Sequence, residues 1–92
     1  MDAKPSFKRT AELLKVLGQE TRLKILEQLR DGPRFVGEFC PDCGEQSNIS
    51  RHLAVLKGAG VVDDRRDGNR QYYEVVMPEI FTLVDAARKL KT

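Results

Sequence analysis

The sequence holds one histidine and two cysteines, and its 16 lysines and arginines are nearly matched by 14 aspartates and glutamates. Each scarcity removes a class of function. A net charge of +2 is too small to mark a nucleic-acid binder in bulk, so any basic surface must come from local clustering. A single histidine, no glycine-rich phosphate loop and no nucleophile–base constellation point away from an enzyme. Two cysteines cannot complete a four-ligand structural zinc site, and a thioredoxin-type dithiol would want a βαβ setting that is missing. No apolar run approaches spanning length, and Met1-Asp2-Ala3-Lys4-Pro5 lacks the apolar core of a signal peptide. The expectation is a cytoplasmic protein with no membrane contact, whose cysteines are thiols rather than a structural disulfide. There is no internal repeat, low-complexity segment or interdomain linker.

What is present is one small domain over residues 1–92, 40% hydrophobic and 33% charged. A core this small is often completed by oligomerisation, so a dimer is expected. After a loose tail with Ser6 as N-cap, Phe7, Ala11, Leu14 and Leu17 stripe a first helix that Gly18 ends. Leu13 and Val16 widen that stripe, which suits either burial on two sides or a deep place in the monomer core. A second helix spans about Gln19 to Arg30, with Leu23, Leu26 and Leu29 inward, and Asp31-Gly32-Pro33 stops it. Phe35, Val36 and Phe39 suggest a third helix reaching about Cys43, short or irregular because of Pro41.

Glu45 to Gly58 carries Ile49, Leu53 and Leu56 on one helical face, no acid after Glu45, and Gly58 where a helix would stop. Gln46, Ser47, Asn48, Ser50, Arg51 and His52 crowd its first turns, a surface suited to base edges in a major groove or simply to solvent. Val61–Arg66 and Arg70–Val76 then read as two strands about Asp67-Gly68-Asn69. Pro78 opens a last helix striped by Ile80, Leu83, Val84, Ala87 and Leu90. The fold class is mostly α with a small β-hairpin, in the order α-α-α-α-β-β-α, which describes a winged helix-turn-helix.

Three segments resemble the ArsR/SmtB-type metal- and thiol-sensing transcriptional repressors: L-G-Q-E-T-R-L-K-I-L-E-Q-L (17–29), Q-S-N-I-S-R-H-L-A-V-L-K-G-A-G-V-V (46–62) and R-D-G-N-R-Q-Y-Y-E-V (66–75). The resemblance runs from about Leu13 to Leu90. It implies a homodimer joined through the first and last helices, bound to a palindromic double-stranded DNA operator and released by an inducer. It also implies a recognition helix over about Gln46 to Lys57, with Gln46, Ser47, Ser50 and Arg51 toward the groove and Asn48 and His52 nearby. Gln pairs bidentately with adenine and Arg with guanine, which makes Arg51 the first choice for a base contact, with a phosphate clamp as its alternative. His52 could contact DNA, pack locally or ligate a metal. In the wing, Arg65, Arg66 and Arg70, with Asn69 at the tip, could neutralise flanking phosphates or reach a minor groove. The interspersed Asp63, Asp64 and Asp67 keep a merely salt-bridged hairpin as the alternative.

Cys40-Pro41-Asp42-Cys43 can chelate one soft ion or form one disulfide. The family's common thiol positions on the third helix correspond to Phe35 and Gly37 here, and Glu79 to Thr92 has no histidine for the common inter-subunit site. Neither standard metal site is inherited. No cofactor is obligatory, and the expected inducers are thiophilic: arsenic(III), antimony(III), cadmium, lead, mercury, zinc or copper(I). A redox dithiol and inert packing cysteines are the alternatives.

Overall fold

The computed structural model describes residues 7–39 and 44–90; the expected cap Ser6 and the Cys40/Cys43 pair lie outside them. The chain runs α1 (Phe7–Leu17), α2 (Glu20–Gln28), β1 (Arg34–Phe35), a 3-10 turn (Val36–Glu38), α3 (Gln46–Gly58), β2 (Val62–Asp67), β3 (Arg70–Val75) and α4 (Glu79–Lys89). Helices plus a winged antiparallel sheet are therefore present, but the expected third helix is not a full helix. Arg34 and Phe35 pair antiparallel with Tyr73 and Tyr72, so β3 becomes the centre of a three-stranded sheet ordered β1-β3-β2. Pro33, which has no N–H, leads into this extended step. Helical bonding then lasts one turn, the Glu38 carboxylate accepts from the Phe35 N–H at 3.1 Å, and Phe39 is extended again. A two-residue strand is too short to show a period of two, so the apolar Phe35, Val36 and Phe39 mimic a helical stripe.

One core gathers every layer. Leu17, Ile25, Leu26, Leu29, Phe39, Ile49, Leu53, Leu56, Val61, Val62 and Ile80 are buried together. Leu23, expected inward with Leu26 and Leu29, instead turns toward α1 and α4, where it lines a groove with Leu14 and Leu83. Arg30 braces α2 against α4. Its guanidinium donates to both carboxylate oxygens of Asp85 at 2.8 and 3.2 Å and to Glu27, while lying 4.5 Å from the centre of the Phe81 ring. That bond pushes the Asp85 carboxyl below its usual range. No helix among the described residues is long and apolar enough to cross a membrane.

The wing turn and the end of α3 each depend on a glycine. Gly68 has φ +65° at the first of two turn positions, and Asn69 after it does not have a positive φ, the pattern of a type II′ hairpin. Gly58 is the last residue of α3, but the stop is made by Gly60 at φ +80°. Its N–H donates to the Lys57 carbonyl and the Val61 N–H reaches back to the Leu56 carbonyl, both at 3.0 Å. This is a Schellman cap, with Val61 and Leu56 supplying its apolar contact. The two glycines should consequently respond in opposite directions to alanine. A Cβ at either meets nothing within 4 Å. Gly58→Ala should therefore stabilise the fold by about 0.5–1 kcal/mol through helix propensity. Gly60→Ala should destabilise it by roughly 1–2 kcal/mol through the left-handed backbone. Urea unfolding midpoints measure both; shifts of the same sign would refute the cap assignment.

Candidate nucleic-acid interface

The inner face of α3 is fixed by Ile49, Leu53 and Leu56, all fully buried. The helical repeat then turns the intervening residues away from the core. Gln46, Ser47, Asn48, Ser50 and Arg51 are exposed, and His52 is half-buried on the flank. Ala54, not singled out from sequence, is exposed on the same face as Ser47 and Arg51, and its small side chain leaves that face low. The amide nitrogen of Gln46 stands 3.6 Å from where a Cβ on Gly37 would lie, and the same Cβ would come within 2.9 Å of Phe35 Cε2. Gly37 thus lets the 3-10 turn, the Phe35 ring and the start of α3 meet closely.

The wing arginines do not form one patch. Alternation along β2 sends Asp64 and Arg66 to one face of the sheet and Arg65 to the other, opposite Tyr72. Arg70 shares the face of Arg65 and lies 4.4 Å from the centre of the Phe35 ring, which packs edge-on against Tyr72 at 5.7 Å. Arg65, Arg66, Asn69 and Arg70 are all exposed. The acids are not equivalent either. Asp64 accepts from Lys57 Nζ of α3 at 2.6 Å and from the Gln71 side-chain amide, which keeps its carboxyl below the usual range and ties the wing to the end of α3. Asp63 and Asp67 remain exposed.

Arg22, which the sequence did not mark out from any solvated arginine, sits behind α3. Its Nε donates to His52 Nδ1 at 3.1 Å and an Nη donates to the Val16 carbonyl at 3.0 Å. Burial first, then the charges of Arg22 and Arg51, pushes the His52 pKa below its ordinary 6.5. A ring nitrogen already accepting from arginine makes a poor metal ligand, which favours the structural or DNA-proximal alternatives for His52. Among the described residues, no three His, Cys, Asp or Glu side chains converge to hold a metal.

Residues 19–64 match the family described as "Bacterial regulatory protein, arsR family". The chain is 45% identical over 92 residues to the HTH-type transcriptional regulator Rv0081 of Mycobacterium tuberculosis (strain ATCC 25618 / H37Rv), covering 98% of this chain and 81% of that protein. The crystal structure of M. tuberculosis Rv0081 superposes with a TM-score of 0.81, covering 95% of this chain and 89% of that one. The homodimeric winged helix-turn-helix DNA-binding domain Mb0332 from Mycobacterium bovis superposes at 0.78 with 30% identity, covering 96% and 90%. A probable mercury resistance operon repressor of Streptomyces lividans is 38% identical over 82 residues, 88% of this chain and 66% of that protein.

The depressed His52 pKa has a signed consequence. Because the folded state resists protonating this ring, the unfolded chain binds the proton first as the pH falls. The contribution is full above the ordinary pKa of 6.5 and is lost progressively below it. The difference in unfolding midpoint between the wild type and His52→Gln should narrow or reverse between pH 7.5 and pH 5. A constant difference across that range would mean the ring is not held neutral.

Proposed function

The chain belongs to the arsR family of bacterial regulatory proteins, DNA-binding transcriptional regulators rather than enzymes, and from there we propose that it is a homodimeric repressor of a palindromic operator. The observation that carries this reading is α3 itself. One face is wholly buried, the other presents Gln46, Ser47, Asn48, Ser50 and Arg51, and no acid lies between residues 46 and 58. Arg51 suits a guanine edge and Gln46 an adenine edge, while the serines serve bases or phosphates. Arg65 and Arg70 on one face of the wing and Arg66 on the other suit phosphates flanking the groove, with Asn69 at the tip.

Dimerisation uses α1 and α4. Phe7, Leu14 and Leu83 are 81%, 51% and 39% exposed, and Leu14, Leu17, Leu23, Leu83, Val84 and Ala87 line an apolar groove between these helices. A second copy covering that surface accounts for the width of the α1 stripe.

The releasing signal enters at Cys40 and Cys43, which precede α3 by a few residues. Their thiolates suit a soft ion or metalloid, and binding one would release the thiol protons. The likeness to a mercury resistance operon repressor supports that class of inducer.

One titration tests these assignments together, with reduced protein, anaerobically, on the DNA upstream of its own gene. Arg51→Ala should cost about 10- to 100-fold in operator affinity, the scale of a lost bidentate base contact. Alanine at Arg65, Arg66 and Arg70 should also flatten the salt dependence. Mercury(II) or arsenite should release the DNA, and Cys40→Ser with Cys43→Ser should abolish release. An unchanged salt slope removes the wing from the interface. Release by an oxidant alone makes the pair a redox dithiol, and release by neither removes the cysteines from regulation.

A further inference from the structure

The contact between Arg22 and His52 fixes more than a distance. A guanidinium has only donors, so His52 Nδ1 must carry its lone pair, and in the neutral ring the proton sits on Nε2. Among the described residues Nδ1 is the only His52 atom with a hydrogen-bond partner and no buried side-chain nitrogen or oxygen lacks one, so Nε2, without a partner there, is not sealed from solvent. The environment disfavours the charged ring, because burial and the neighbouring Arg22 and Arg51 charges all oppose protonation. His52 lies one residue, about 100°, round the helix from Arg51, on the flank between the exposed face and the buried one. A flank position meets the wall of a groove, which is sugar-phosphate backbone, rather than the base edges on its floor.

We propose that Arg22 locks His52 as an Nε2–H donor to a phosphate oxygen of the bound DNA, so that His52 sets the depth of α3 in the groove and Arg22 is its positioning residue. This rests on the operator-binding reading above. It differs from an ordinary basic contact in one measurable way. A neutral donor displaces no counterion, so it adds affinity without adding to the salt slope, whereas each phosphate neutralised by Lys or Arg adds about 0.9 to that slope. The Arg22 bond to the Val16 carbonyl extends the brace to the end of α1, so the donor is tied to two helices rather than to a flexible stem.

The chain's single histidine makes the test direct, because untagged protein gives one set of imidazole signals. Long-range proton–nitrogen NMR of the wild type should show Nε2 protonated and Nδ1 bare at pH 7, and Arg22→Met should give a mixture of tautomers. In operator titrations at several salt concentrations, His52→Phe should weaken binding about three- to tenfold at every concentration, with the slope unchanged. Arg22→Met should reproduce that loss, also with the slope unchanged, and His52→Gln, which keeps a side-chain amide donor, should recover part of the affinity. Protonation at Nδ1 in the wild type overturns the proposal without any variant. So does wild-type-like binding by His52→Phe, or a slope smaller by about one unit in Arg22→Met, which would make Arg22 itself the phosphate contact. A wild-type protein that binds no DNA instead overturns the repressor reading beneath it.

Discussion

Burial of Ile49, Leu53 and Leu56 is the constraint on which the rest depends. Truncating a leucine in a packed core costs roughly 2–5 kcal/mol, whereas a hydrogen bond contributes about 0.5–1.5 kcal/mol net. Apolar packing therefore decides where α3 lies, and polar contacts decide how it is aimed. Two such contacts act at different points along it: His52 held from α2, and Lys57 held from the wing. The cap at Gly60 then turns the chain directly into Val61 and Val62, which return to the same core. With the inner face committed, the polar residues of the first turns have nowhere to go but outward.

The charge distribution follows from this arrangement rather than from the net charge. Asp64, which by sequence would blunt the wing's arginines, is turned toward α3 and paired with Lys57 and Gln71. Arg70 rests on the Phe35 ring, so a residue of β1 organises the far edge of the wing. Glu27 and Asp85 are absorbed by Arg30 on α2 and α4. The acids that balance the formal charge are thus partly withdrawn from the surface that α3 and the wing present, and a protein of net charge +2 can still offer a locally basic one.

Much of this was legible because the long elements carry strong periodicity: α1, α3 and α4 begin within a residue of where their stripes and breakers put them, and the hairpin declares itself through Asp67-Gly68-Asn69. The misses have local causes. β1 is two residues long, and its partners lie in β3, so nothing near Phe35 signals a strand. Gly58 carries the expected stop residue, yet the left-handed position is two residues later, where Gly60 is followed by the apolar Val61 that a Schellman cap wants. Arg22 is invisible by pattern because its partner is 30 residues away. The spread of the wing arginines over two faces needs the strand register, which the turn fixes but composition does not.

The most direct test is to map amide NMR shifts of the protein on adding DNA from upstream of its own gene. The account predicts that the largest changes fall within residues 46–54 and 65–70, with a weaker response at Arg22. The α4 helix, Glu79–Lys89, should stay nearly silent. Changes concentrated on α1 and α4, with α3 unmoved, would contradict it by showing that the polar face of α3 is merely a solvated surface.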